Sequence, residues 1–222
     1  LFEISHRFDT PVSDGASGLW GLDGPVSNRL GLSYSVHDRV LLGVQRSNYT
    51  DNLELNAKVG LLGSPSQALA LAAMGGVAWN TEVDESPSHG GEDNEMQAYA
   101  QLVVNAGLGE RVAVGVVPTW LYNPNIFDVD EDNAFVLGLN GQIYLTDAVS
   151  FLGEWIVSEE RAGLDNDSGT FGFEIETRGH FFKLLLTNQP RLNPTQVLGG
   201  SPREFEPDEW RLGFNIQRML QL

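Results

Sequence analysis

The sequence predicts an all-β fold: one closed, antiparallel, up-and-down transmembrane β-barrel of about 12 strands, with residues 1–222 forming a single domain. Three observations predict it. Apolar and polar residues alternate with period two in successive segments, each of strand length. The connections between these segments alternate short and long. The acidic residues gather in the long connections.

The alternating segments are 1–8, 27–36, 39–47, 52–62, 68–80, 96–106, 111–122, 134–145, 148–158, 170–177, 180–188 and 210–220. The second sets Leu30, Leu32, Tyr34 and Val36 against Arg29, Gly31, Ser33 and Ser35. The fourth sets Leu53, Leu55, Ala57 and Val59 against Glu54, Asn56, Lys58 and Gly60. The tenth sets Phe171, Phe173 and Ile175 against Gly172, Glu174 and Glu176. The last sets Trp210, Leu212, Phe214 and Ile216 against Arg211, Gly213, Asn215 and Gln217. Alternation is blurred in the fifth and seventh, where Ala and Val fall on both faces. Pro118 is a misfit near the outer end of the seventh, where a bulge or the sheet rim tolerates proline. Helical periodicity is nearly missing.

The short connections are His37-Asp38, 63–67, 107–110, Thr146-Asp147 and Arg178-Gly179. The long-side connections are 9–26, 48–51, 81–95, 123–133, 159–169 and 189–209. Tight turns at one end and long loops at the other are the plan of membrane barrels. The long side carries 22 of the 30 acidic residues and only Arg161, Arg191 and Arg203 as bases. That end sums to −19 and the rest of the chain to +2, so the net −17 belongs to one end of the molecule. Trp79, Trp120, Tyr122 and Trp155 lie just before long loops, and Phe135, Phe171 and Trp210 just after them. This placement predicts an aromatic girdle at one membrane interface. Phe2, Phe151 and Phe182 predict a sparser ring at the turn end.

Hydrocarbon offers no water to unpaired backbone groups, so a spanning sheet must close on itself. Each strand then turns one face to lipid and one to the lumen. A soluble barrel puts its apolar face inside. Here the set assigned to the lumen is polar and Gly-rich, and the other is Leu, Val, Phe and Trp, which would aggregate if exposed to water. The absence of Cys excludes a disulfide scaffold, thiolate metal ligands and a cysteine nucleophile. The anionic field excludes nucleic acid as a partner. No leader is visible, so one is expected to have been removed or to lie outside this numbering.

Five phrases carry a resemblance: L-F-E-I-S-H-R-F (1–8), G-L-D-G (21–24), R-L-G-L-S-Y-S-V-H-D-R-V (29–40), F-E-I-E-T-R-G-H-F-F (173–182) and R-L-G-F-N-I-Q-R (211–218). In this order they resemble an uncharacterised family of membrane-bound β-barrel domains from Gram-negative bacteria. The resemblance spans nearly the whole chain. It implies an outer-membrane barrel and assigns no activity and no functional residue.

With both termini periplasmic, the lumen is expected to hold Glu3, Glu54, Glu154, Glu174 and Glu176 with Arg7, Arg29, Lys58, Lys183 and Arg211. Arg211, Arg7 and Arg29 are expected together near the outer end, with Glu174 and Glu176 beside Lys183 toward the turns. One reading is a charged constriction that biases passage of anionic solutes. The other is a salt-bridge network that fills and blocks the lumen. Twelve strands lie between the filled eight-strand barrel and the open porins, so strand number leaves both open. Inward Gly and Ala positions favour an open path, whereas loops 9–26 and 189–209 are long enough to fold in and close it.

Asp128, Asp130 and Asp132 are weak candidates for calcium, since they match no EF-hand loop. Divalent cations bridging acidic loops to lipopolysaccharide are a more natural use, besides simple solvation of the rim. His6, His37, His89 and His180 are scattered, and no nucleophile–base pair or nucleotide motif is found, so neither an enzyme nor a cofactor is expected. The leading functional reading is a passive, porin-like outer-membrane channel for small hydrophilic solutes. The alternative is a non-conducting barrel that anchors protein partners in an envelope assembly. A third is a barrel whose acidic loops capture cations.

Overall fold

Every alternating segment forms a strand. In the computed structural model the strands are β1 (Phe2–Phe8), β2 (Val26–His37), β3 (Val40–Ser47), β4 (Asn52–Leu62), β5 (Leu69–Asn80), β6 (Met96–Leu108), β7 (Val112–Tyr122), β8 (Asn133–Tyr144), β9 (Val149–Val157), β10 (Ser168–Thr177), β11 (His180–Thr187) and β12 (Arg211–Arg218). The structure describes residues 1–63, 68–83, 95–128, 132–161 and 163–220. Each strand pairs antiparallel with its neighbours in sequence, and β1 pairs with β12, so the sheet is a closed barrel without an edge.

The register fixes which side chains face inward. Glu3 sits opposite Gln217, Ser5 opposite Asn215, and Arg7 opposite Gly213 across the β1–β12 seam. The alternate residues form the outer surface. Leu30, Leu32 and Tyr34 of β2 are 55%, 50% and 57% exposed, while inward-facing Ser5, Asn52 and Glu54 are fully buried. This reversal of the usual soluble pattern is what a hydrocarbon solvent demands. At the turn end β2–β3, β6–β7, β8–β9 and β10–β11 are joined tightly; Gly179, at φ 78°, supplies the left-handed residue of the turn from β10 to β11.

Pro118 departs from its expected place at a rim or bulge. It lies inside β7, opposite Leu137 of β8. Against β6 the register runs from Gln101–Thr119 directly to Val104–Val116, so the ladder lapses beside the residue that has no N–H to donate.

At the loop end, Val12–Gly21 forms 3-10 turns in which Leu19 and Trp20 are left-handed. The 189–209 connection turns into the barrel and carries a one-turn helix, α1 (Pro194–Leu198), begun by proline at its first turn. Leu198 packs with Tyr99, Leu121, Ala134, Val136 and Ile156, all on the inner wall of β6–β9. The lumen is therefore not uniformly polar, as expected above. Those strands turn apolar residues inward because they face the inserted segment instead of water.

Candidate functional site: the barrel lumen

The inserted segment is held by polar contacts with strands from several sides. Asn193 Nδ2 donates to the Asn52 carbonyl at 3.2 Å. Gln196 Nε2 donates to the Tyr49 carbonyl at 2.8 Å and to Thr50 Oγ1 at 3.1 Å. Thr195 meets Glu54 Oε2 through its backbone N–H and its hydroxyl, each at 3.5 Å. The other oxygen of Glu54 accepts from Gln45 at 2.7 Å and from the Tyr99 hydroxyl at 3.0 Å. A buried carboxylate this fully satisfied acts as a clamp, because losing its donors would strand a charge.

The roots of the segment are fixed as firmly. Gln189 Nε2 donates to Ser168 Oγ at 2.7 Å and to the Gly200 carbonyl at 2.9 Å. Asn188 Nδ2 donates to the carbonyls of Asp167 and Arg203, at 2.8 and 2.7 Å.

A cavity of about 410 Å³ lies against this segment. Leu192, Pro194, Val197 and Leu198 of the segment cover it. Arg7, Arg29, Lys183, Arg191 and Glu154 supply its charged lining. Arg7 Nη1 donates to Asn215 Oδ1 and to its neighbour's carbonyl, both at 2.8 Å, and among the described residues makes no ion pair. It lies across Gly213, where an added Cβ would stand 2.7 Å from Arg7 Cδ and would push the arginine stem aside. Arg29 is ion-paired with Glu3. Lys183 Nζ lies 3.1 Å from Glu174, which also accepts from Gln142 at 2.9 Å. The guanidinium of Arg191 lies 5.1 Å over the Tyr49 ring. Met74, Val103, Val117, Leu152 and Leu185 supply an apolar wall.

Of the residues anticipated for the lumen, Arg7, Arg29, Glu154 and Lys183 line the cavity. Glu54 clamps the inserted segment, and Glu174 partners Lys183. Lys58 and Glu176 lie toward the turn end, away from the cavity lining. Arg211 departs from the expected arginine ladder. It stands at the loop rim, where its Nε donates to the Asp9 carbonyl at 2.7 Å and its Nη1 lies 3.0 Å from Glu209 Oε2. Arg203 binds the same Asp9 at 2.8 Å, so two bases tie the 189–209 connection to the end of β1. The first residue of β12 lies level with the acidic loops, which captures this guanidinium. Among the calcium candidates, Asp130 lies outside the described residues, as does His89 among the histidines. Among the described residues no three carboxylate or imidazole side chains converge on a metal position.

The girdle residues Trp79, Trp120, Tyr122 and Trp155 occupy outward positions at the loop ends of their strands. Phe205 folds back onto one of them: its ring lies 4.9 Å from Trp155 and 5.7 Å from Trp210, and Trp210 lies 5.1 Å from Phe171. The Trp155 indole donates to Asp167 at 2.9 Å. Sequence reasoning did not find Tyr99, Asn193, Thr195 or Gln196 as lumen residues.

A closed barrel of twelve strands with apolar residues outward and a polar arc inward defines a porin-like membrane β-barrel. The chain belongs to the family described as membrane bound beta barrel domain (DUF5777), whose model matches residues 1–220. Its fold is similar to that of the NanC porin, with a TM-score of 0.65 at 6% identity, covering 99% of this chain and 100% of that one. It is similar also to the KdgM porin solved in complex with disordered oligogalacturonate, with a TM-score of 0.63, 7% identity and 99% of each chain covered. An outer-membrane channel from Pseudomonas putida F1 superposes with a TM-score of 0.52 at 14% identity, covering 99% of this chain and 94% of that one. No curated protein sequence matches the chain.

Proposed function

We propose that this protein is a passive channel of the Gram-negative outer membrane, with its turns in the periplasm, and that it conducts small hydrophilic solutes with a bias toward anions. One observation carries the reading: a cavity of about 410 Å³ lies within the barrel with Arg7, Arg29 and Lys183 on its wall. Cations fixed on a low-dielectric wall raise the local concentration of anions. The inserted 189–209 segment is the gate, since it rests in the lumen on hydrogen bonds and on one apolar contact patch. Around the outer rim, divalent cations bridge the acidic loops to lipopolysaccharide.

Planar bilayers test this. The wild-type barrel gives small conductance steps whose reversal potential favours anions, and Arg7→Glu moves that potential toward cations. Removing residues 190–200 enlarges the steps. A barrel that stays silent after this removal overturns the channel and favours a sealed anchor. The inserted segment and its rim contacts are what support that second reading.

A further inference from the structure

We infer that the lumen cavity binds small amphipathic anions, each an acidic group on a short apolar body. The inference rests on the reading of the lumen as a solute path and gives the preferred solute an apolar body in place of a wholly hydrophilic one.

Charge supplies the first half. The chain as a whole carries −17. Its cavity reverses that sign, with four cations on the lining against one carboxylate, Glu154. Arg29 and Lys183 already have carboxylate partners in Glu3 and Glu174. Among the described residues Arg7 donates only to neutral acceptors, the Asn215 amide and a backbone carbonyl. Glu3 and Glu154 act on this guanidinium through space but neither touches it, so an entering anion that does touch it gains charge-assisted hydrogen bonds.

The apolar wall supplies the second half. The register strings Arg7, Gly213, Leu185, Gly172 and Leu152 into one continuous row around the inner wall, from β1 through β12, β11 and β10 to β9. The two glycines leave the row shallow, and Arg7 lies over the first of them toward Leu185. Cation and aliphatic surface therefore share a border within a single row. Met74, Val103 and Val117 continue the apolar surface on the far side of the cavity. Water against such a wall is poorly hydrogen-bonded, so an apolar body that displaces it gains affinity, which a purely hydrophilic solute would not. The volume, about 410 Å³, lies at the small end of the range of roughly 300–1,000 Å³ for small-molecule pockets. Leu192 and Leu198 of the inserted segment add to its apolar lining.

Glu154 is the opposing element. It faces the cavity beside Leu152 on the same face of β9, close enough for Arg7 and Lys183 to act on it through space but, among the described residues, in no ion pair. It sets an upper limit on anion affinity, and its neutralisation should raise that affinity.

The test is equilibrium binding of hexanoate, acetate and hexylammonium to the barrel in lipid nanodiscs, with empty nanodiscs subtracted. Hexanoate should bind at least about tenfold more tightly than acetate, from its added methylenes, and hexylammonium should not bind. Arg7→Gln should weaken hexanoate about tenfold or more. Leu152→Asn should weaken hexanoate and leave acetate unchanged. Glu154→Gln should tighten hexanoate several-fold, a gain that misfolding cannot imitate. Equal binding of hexanoate and acetate, or hexanoate binding indifferent to both Arg7 and Glu154, overturns the inference. Conductance is read separately. A barrel that binds hexanoate yet stays silent in bilayers upholds this inference and removes the channel reading. A barrel that conducts without preferring hexanoate does the reverse.

Discussion

Tyr99 and Glu54 meet inside the barrel: the phenol donates to the carboxylate at 3.0 Å, from a strand two places away around the wall. That bond braces two wall strands at a carboxylate whose other oxygen receives Thr195 of the inserted segment. Glu54→Ala should leave the Tyr99 hydroxyl, Gln45 and Thr195 without their acceptor. The expected cost is about 1–3 kcal/mol for each donor stranded away from water. The segment should loosen, and bilayer recordings should show longer or more frequent open periods. Open-time statistics identical to wild type would exclude Glu54 as the clamp.

Asn52 and Asn193 are hydrogen-bonded partners that can be locked chemically. The chain contains no Cys, so a pair introduced as Asn52→Cys and Asn193→Cys has no competing thiol. Oxidation should hold the segment in the lumen and suppress conductance, and reductant should restore it. Currents that ignore the redox state of the pair would mean that the segment is not the gate.

The lipid face makes an independent prediction about stability. Leu55 lies mid-strand in β4 with its side chain outward and 45% exposed. Leu55→Arg should cost about 2–4 kcal/mol if it lies near the bilayer midplane. Denaturant unfolding in lipid vesicles measures this directly. A neutral result would place that face against water.

The rim should answer to salt. Arg203 and Arg211 share Asp9 and Glu209, at separations from 2.8 to 3.8 Å. Arg203 is partly exposed, and such pairs are worth about 0–1 kcal/mol and are screened by ions. Arg203→Ala should therefore have little effect on stability in molar salt and a modest one at low salt. Arg211 is almost wholly enclosed, so Arg211→Ala should destabilise the rim at both ionic strengths. Thermal melts at two salt concentrations distinguish these responses.

The barrel itself was legible because a strand between lipid and lumen must alternate, and alternation is the simplest periodicity a sequence can carry. Leu53, Leu55, Ala57 and Val59 report the outer face with no knowledge of their neighbours. Glu154 and Lys183 were legible as lumen residues for the same reason. The inserted segment was legible only as a long connection able to fold inward. Asn193, Thr195 and Gln196 are ordinary loop residues until Asn52, Glu54 and Tyr49 stand opposite them, and those partners lie some 141 to 147 positions earlier. Arg211 shows a related limit. Its parity on β12 is correct, but its height along the barrel axis depends on the stagger of neighbouring strands, which period two does not encode.

The seam between the first and last strands bears on how the molecule forms. Gln217 donates to Glu3 across 214 positions of chain, so the contact that completes the cylinder spans nearly the greatest contour length available. Pairings of such high contact order pay their loop-closure entropy before any reward arrives, and they form late. Until then β1 and β12 present raw hydrogen-bonding margins to whatever surrounds them. Assembly is thus a race between sealing and self-association, and a chaperone that shields these two strands would shift its outcome more than one acting on any hairpin between them.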